Sequence, residues 1–315
     1  MLPFHLVYHE GYDLHLGDHV FPSQKFRLIR ERLLAEKFAA PEDFIAPEPA
    51  SDEDLLLVHE SGWVQRLKTG TLTYEEILQL EIPYSPEMVR AFWLAAGGTT
   101  AAARMALEEG VSFNIGGGFH HAFPDHGEGF CAINDIAVGI RKMQREGKIK
   151  RAMVVDCDVH HGNGTAGIFA GDSSVFTLSI HQYNNYPAMK PPSSVDVHLA
   201  DGVGDDEYLE RLGAAYRFPL KGFHPELLVY VAGADPYMLD QLGGLSLTIE
   251  GLMRRDALVI ESALREGTAV AIVLAGGYAA AVQDTVTIHS NTAKAAKQAL
   301  ETVGWKKGLL DAGPS

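Results

Sequence analysis

The chain has 315 residues, 46% of them hydrophobic and 21% charged, with a formal net charge of −15. That apolar content can build a sizeable core, while the acidic field repels phosphate backbones and argues against a nucleic-acid partner. No run approaches the roughly 18 apolar residues of a spanning helix. The start, MLPFHLVYHE, lacks the basic and apolar regions of a signal peptide, and two cysteines, Cys131 and Cys157, make no disulfide framework. These features predict a cytoplasmic protein that does not bind membranes. The acidic surface either serves solubility or favours cationic substrates such as lysine-rich peptides and polyamines.

In chain order, an apolar strand is expected at 5–8 and a helix at 23–37. The segment 40–51, APEDFIAPEPAS, is rich in proline and acid and reads as a loop. A helix at 52–68 follows, with Ser51 and Asp54 as an N-cap pair. The next helix, 86–109, contains Gly97-Gly98, which implies a close helix–sheet contact. Strands are then expected at 111–115, 152–157, 175–180, 227–232 and 270–274. Helices fall between or after them at 132–146, 206–217, 248–265 and 293–303. The strand segments are nearly all apolar, as buried parallel strands are. No low-complexity linker divides the chain, so one domain over 1–315 is expected. Strand–helix alternation predicts a doubly wound α/β sheet, in which ligands bind where strands end.

The strand ends carry the chemistry. After 111–115 comes GGGFHH, with His120 and His121 in tandem. After 152–155 comes DCDVHHGNG, which holds Asp156, Asp158, His160, His161 and Asn163. The run at 227–231 leads to AGAD, ending on Asp235, and the run at 270–274 leads to AGGY, ending on Tyr278. In a parallel sheet these ends share one edge. Asp158 and His160 are two apart, a spacing that in a strand points both side chains the same way. With Asp235 as a third, solvated carboxylate they form three protein ligands and leave a position open, the pattern of a catalytic zinc site. Adjacent histidines suit acid–base work on a metal-bound water. A phenol at Tyr278 could donate to a developing oxyanion.

The segments GGGFHH, GEGFCAINDIAVG, VVDCDVHHGNG, TLSIHQY, VYVAGAD and LAGGY together resemble the zinc-dependent histone deacetylase family, over nearly the whole chain. FNIGGGFHH, GDDEYL and DQLGGLSLTIEGLMRRDALV resemble its class IV branch, and a bacterial source is expected. The resemblance implies the arginase/deacetylase fold, a three-layer α/β/α domain with a mostly parallel central sheet. It implies Zn²⁺ on Asp158, His160 and Asp235, with His121 as general base and then acid. His120 would act electrostatically, oriented by Asp156, while Asn163 would orient His121 and Tyr278 would polarise the amide carbonyl. Phe130 and Phe119 would line an acyl-lysine channel, with Gly129 making room for it. A structural K⁺ is implied near Asp156, Asp158, His160, Ser179, Ile180 and His181, and a second, peripheral one around Phe169, Asp172 and Val175.

Two departures stand out. Some family members carry Asp where Asn163 stands, and a neutral partner raises the basicity of His121 less. The rim segment 82–86, IPYSP, offers no carboxylate, whereas several relatives grip the substrate backbone with an Asp there. Three alternatives remain at this point. A two-Mn²⁺ ureohydrolase shares the expected fold but needs more bridging ligands. An acetylpolyamine deacetylase shares every catalytic motif, but its polyamine-selective branch carries a Glu where Leu242 stands here. The third is a binding module that retains only the fold. The favoured expectation is hydrolysis of acyl-lysine in proteins or peptides, with acyl length and oligomeric state open. The first helix and its approach, 19–26, HVFPSQKF, are expected to bound the pocket.

Overall fold

Strand residues alternate between two apolar environments, and that alternation builds the layers. In the segment 152–155, Ala152 and Val154 enter one buried cluster while Met153 and Val155 enter another. The same parity holds in the segment 227–231, where Leu227 and Val229 face the first cluster and Leu228 and Tyr230 the second. A strand buried on both faces must be apolar throughout and needs helices on each side.

The computed structural model describes residues 1–305; residues 306–315 of the expected domain lie outside that span. Eight parallel strands form one open sheet: β1 (Leu6–Val7), β2 (Phe44–Ile45), β3 (Val111–Asn114), β4 (Ala152–Asp156), β5 (Val175–Gln182), β6 (Val195–Leu199), β7 (Leu227–Val231) and β8 (Ala269–Val273). Their order is β2-β1-β3-β8-β7-β4-β5-β6. The helices are α1 (Lys25–Ala35), α2 (Asp52–Leu55), α3 (Ser61–Thr69), α4 (Tyr74–Leu80), α5 (Pro86–Glu109), α6 (Asp135–Arg145), α7 (Asn163–Ile168), α8 (Asp205–Phe223), α9 (Ile249–Arg265) and α10 (Val282–Val303). Residues of α5 and α6 fill one face of the sheet, and residues of α8, α9 and α10 fill the other. After β3 the chain crosses to β4, and the gap is later filled by β7 and β8. A crevice at the carboxyl ends is expected at such a switch. Among the described residues no helix is long and apolar enough to cross a membrane.

The differences from the sequence reading have identifiable causes. The expected helix 52–68 breaks into α2 and α3 because the Glu60 N–H and the His59 ring find partners outside it. Glu60 N–H donates to Pro124 O at 2.7 Å, and the His59 ring bridges Phe123 O and the Asn134 N–H, both at 3.0 Å. α10 starts at Val282, not at 293, behind a run of hydroxyl residues that masks its periodicity. Those hydroxyls bond back to the preceding turn, Thr287 to Gln283 O at 2.6 Å and Ser290 to Val286 O at 2.7 Å. α8 continues through Pro219 to Phe223, past the expected end at 217. Strand β2 lies in the segment read as a loop, and β6 (VDVHL) is a part-exposed edge strand whose polar residues hid it. Ser51 caps α2 as expected, accepting from the Asp54 N–H. A Cβ at Gly97 would run into the Glu48 carbonyl, and one at Gly98 into the Tyr12 hydroxyl and the Asn114 side chain of β3, so the close approach to the sheet is at Gly98.

His59 gives the fold an acid-sensitive point. Burial pushes its pKa from 6.5 down to about 4. Between those values the unfolded chain binds a proton that the native state refuses. The stability His59 supports is therefore complete above pH 6.5 and falls as pH drops toward 4, by up to about 3 kcal/mol. Urea unfolding at pH 7 and pH 4.5 should show a larger loss for the parent protein than for His59→Gln. The same loss in both would remove His59 as the cause.

Candidate active site

Four strand ends deliver their polar residues to one crevice. Asp158 and His160 lie just past β4, on its exit turn rather than in the strand, so strand parity does not align them. The turn does so instead: the His160 N–H donates to Asp158 Oδ1 at 2.9 Å. Asp158 Oδ2 accepts from the Gly276 N–H beyond β8 at 2.7 Å, and Asp235 Oδ1 accepts from the Val159 N–H at 2.8 Å. Beneath them the fully buried Arg255 donates to Cys157 O at 3.2 Å and Gly233 O at 2.7 Å, tying the ends of β4 and β7 together. Gly276 has to be glycine, because a Cβ there would fall 1.8 Å from Asp235 Oδ2.

This arrangement fits a metal cation. One ligand atom from each of Asp158, His160 and Asp235 lies within 4.8 Å of the others. His160 Nδ1 is 3.0 Å from Asp158 Oδ1 and 3.3 Å from Asp235 Oδ2. Asp235 is fully buried rather than solvated, and its Oδ2 has no hydrogen-bond partner among the described residues. Burial and the neighbouring Asp158 charge raise its pKa. Two buried carboxylates with one oxygen unsatisfied are costly unless a cation joins them. Two carboxylates and one imidazole are three protein ligands, a number that on a tetrahedral metal leaves one position for water or substrate.

The tandem histidines sit in different fields. Asp135 accepts from the Gly118 and Phe119 N–H groups, at 2.9 and 2.8 Å, and so fixes the turn that presents them. His120 Nδ1 meets Asp156 Oδ2 at 2.7 Å, and His121 Nδ1 meets Asn163 Oδ1 at 2.7 Å. Burial disfavours a charged His120, but the Asp156 and Asp158 carboxylates outweigh it and lift its pKa to about 9. His121 is held well below the ordinary value by burial and by His120 and His160. The surroundings thus favour a proton on His120 and a neutral His121. Tyr278 is buried, its backbone N–H donates to Asp240 Oδ2 at 2.6 Å, and burial with the Asp158 and Asp235 charges keeps the phenol protonated.

A cavity of about 410 Å³ leads from the surface to His121, His160 and Tyr278. Phe130 and Tyr186 form its walls and Leu242 its side, with Glu81 and His19 at the mouth. A larger groove, about 560 Å³, runs between α8 and α9 and touches none of the strand-end residues. At Gly129, φ is +53° and a Cβ would meet the Tyr186 ring at 2.8 Å and the His121 ring at 2.9 Å. Phe119 does not line the open channel. It lies below, 4.6 Å from Phe92 and 6.4 Å from Phe21 between ring centroids, around a void of about 10 Å³.

Several residues at the site escaped the sequence reading. Tyr186 packs edge-on against His121 at 5.0 Å, but its Asn-Asn-Tyr-Pro segment reads as a turn. Glu81 supplies a rim carboxylate one residue before the segment that lacks one, turned in by a left-handed backbone at φ 59°. Lys25 is fully buried beside Tyr278, donates to Ala275 O at 2.7 Å, and burial lowers its pKa to about 8. Only its place in HVFPSQKF hinted at this. Strand register sets Asp156 beside Ser179, whose Oγ is 2.9 Å from His181 Nδ1, while Ile180 packs in the core. At the peripheral position, Asp172 pairs with Arg141 at 2.7 Å. His161, His181 and Asp196 form a second cluster with metal-like spacing. There His161 Nε2 meets Asp196 Oδ1 at 3.1 Å, and His181 Nε2 meets His198 Nδ1, outside the cluster, at 3.0 Å.

Comparison with known proteins agrees with this geometry. A family model described as "Histone deacetylase domain" matches residues 19–293. The chain is 41% identical over 295 residues to an uncharacterized protein of Picosynechococcus sp., covering 93% of this chain and 98% of that one. It is 31% identical to histone deacetylase 2 of Arabidopsis thaliana, covering 87% of this chain and 74% of that one. It is also 31% identical to a histone deacetylase-like amidohydrolase of Pseudomonas aeruginosa, covering 74% and 65%. In structure it is similar to the crystallised HDA15 HD domain, with a TM-score of 0.79 over 95% of this chain and 93% of that one, at 24% identity. That likeness identifies the open parallel sheet as the arginase/deacetylase fold. On the matched span and the identities together, the chain belongs to the histone deacetylase family of hydrolases.

Proposed function

We propose that the protein is a zinc-dependent amidohydrolase that removes short acyl groups, acetyl above all, from the side-chain amide of acyl-lysine in proteins or peptides. The carrying observation is an aromatic-walled channel that ends on the Asp158–His160–Asp235 triad over a nearly closed floor. Phe130 and Tyr186 suit a long apolar lysine stem. Zinc held by the triad would polarise the amide carbonyl and make water acidic enough to attack. His121, neutral and facing the channel, takes the proton of that water and returns it to the departing amine. The Tyr278 hydroxyl donates to the oxyanion as charge develops on it. His120, held by Asp156 at 2.7 Å, acts electrostatically beside His121. The products are free lysine and a carboxylate. Potassium near Asp156 and Ser179, a cytoplasmic location and one domain over the whole chain belong to the same reading.

The floor decides acyl length. The void beneath the channel is about 10 Å³, near the size that holds one small group such as a water (about 10–15 Å³). An acetyl methyl fits without rearrangement; a fatty chain would have to displace Phe21 or Phe119. Turnover of acyl-lysine peptides from acetyl to myristoyl should therefore fall steeply with length. Phe21→Ala should move the optimum to longer chains. Myristoyl turnover equal to acetyl in the parent protein would contradict the proposal.

Glu81 supports a second reading. An exposed carboxylate at the channel mouth suits a distant ammonium, as in an acetylpolyamine, although Leu242 supplies no further charge. Turnover of acetylspermidine against an acetyl-lysine peptide, with Glu81→Gln alongside, separates the two. Peptide preference in the parent favours lysine, whereas polyamine preference lost in Glu81→Gln favours the alternative.

A further inference from the structure

Beyond the His121–Asn163 pair lies Glu128. His121 Nδ1 meets Asn163 Oδ1 at 2.7 Å, and on its far side the Asn163 amide donates through Nδ2 to Glu128 Oε1. Glu128 is itself held firmly. Tyr186 Oη donates to Oε1 at 3.1 Å, Gln79 Nε2 donates to Oε2 at 3.1 Å, and His126 Nε2 lies 3.7 Å from Oε2. Burial works against its charge, but these donors outweigh burial and hold its pKa below the usual value.

An asparagine amide alone is ambiguous toward a histidine. Its oxygen accepts and its NH₂ donates, and a rotation of half a turn exchanges them at little steric cost. If Nδ2 faced His121, Nδ1 would have to accept and the ring proton would sit on Nε2. Nε2 would then have no lone pair to take a proton. A carboxylate, which only accepts, removes the ambiguity: a flipped Asn163 would press Oδ1 against Glu128 Oε1 and cost that oxygen one of its donors.

We infer that Glu128 is a positioning residue that orients the Asn163 amide and thereby fixes His121 as the Nδ1–H tautomer, with Nε2 free to act as base. The inference rests on the reading in which His121 is the proton acceptor in amide hydrolysis. It also explains how this chain works with a neutral residue at 163: the carboxylate is kept, one residue further out. A carboxylate at 163 itself would accept with either oxygen and need no such help.

A purely structural Glu128 is the competing account, since its backbone also pairs with Cys131. A double-mutant cycle on the zinc-loaded protein separates the two. Glu128→Gln should lower kcat about tenfold with KM changed by less than roughly twofold, in the range of outer-shell losses. In the Asn163→Asp background the same change should raise kcat, because it relieves two facing carboxylates. Equal fold-losses in both backgrounds would overturn the inference. The second readout does not depend on turnover: ¹⁵N ring shifts of His121 in zinc-loaded protein. The parent should show one tautomer, protonated at Nδ1; Glu128→Gln, and Glu128→Leu, which lacks any acceptor, should show a mixture. An unchanged ring in both variants would overturn the role of Glu128 whatever amide the enzyme cleaves. A parent with that tautomer but no activity on acyl-lysine would instead sink the substrate reading alone.

Discussion

His121→Ala should lower kcat on an acetyl-lysine peptide by about 10²- to 10⁴-fold, the range that a positioned general base contributes, while the protein keeps its metal. The separation of these effects follows from what holds each part. Asp158, His160 and Asp235 are fixed by one another and by backbone N–H groups of Val159, His160 and Gly276. None of these bonds passes through His121, whose own anchor is Asn163. Metal analysis beside steady-state kinetics checks the expectation. Loss of the metal in His121→Ala would mean that the base and a ligand have been confused, and near-parent turnover would remove His121 from the proton path.

Tyr278→Phe should cost about 10²- to 10³-fold in kcat, equivalent to about 2.7–4 kcal/mol of oxyanion stabilisation, with KM little changed. The variant keeps the ring, which packs against Phe21 and Phe130 at 6.0 Å, and keeps the backbone bond to Asp240. What disappears is one hydroxyl that burial and nearby carboxylates keep protonated. A group that acts only as oxyanion donor should affect the chemical step and spare ground-state binding. A rise in KM with unchanged kcat would reassign Tyr278 to substrate binding.

Much of this site could be read from the sequence because strand ends are the part of an α/β sheet that sequence describes best. A buried apolar run that stops at a cluster of Asp, His or Tyr has few non-catalytic explanations, and Asp158, His160, Asp235, His121 and Tyr278 all stood in that position. The sheet itself was legible wherever both faces are buried, as in β4, β7 and β8. It was not legible in β6, whose VDVHL pattern is that of a half-exposed edge, or in the two-residue β2. Helix α10 was half hidden because its hydroxyl residues resemble a loop until their bonds to the preceding turn are seen. The channel was legible only in part. Phe119 follows the glycine turn and was assigned to the channel wall, but the turn sends it down to the floor. Tyr186, Glu81 and Glu128 come from loops, where no periodicity says which way a side chain points. Lys25 was unreadable for a different reason: a fully buried lysine runs against ordinary burial preference, and only the assembled surroundings of Tyr278 and Ala275 give it a place.

The most direct test of the account is a zinc titration of metal-free protein, with turnover of an acetyl-lysine peptide followed alongside. Activity should rise in proportion to zinc and saturate at one ion per chain, and Asp235→Asn should lose both binding and turnover. Activity that requires two manganese ions per chain, or metal binding that survives the loss of Asp235, would contradict it.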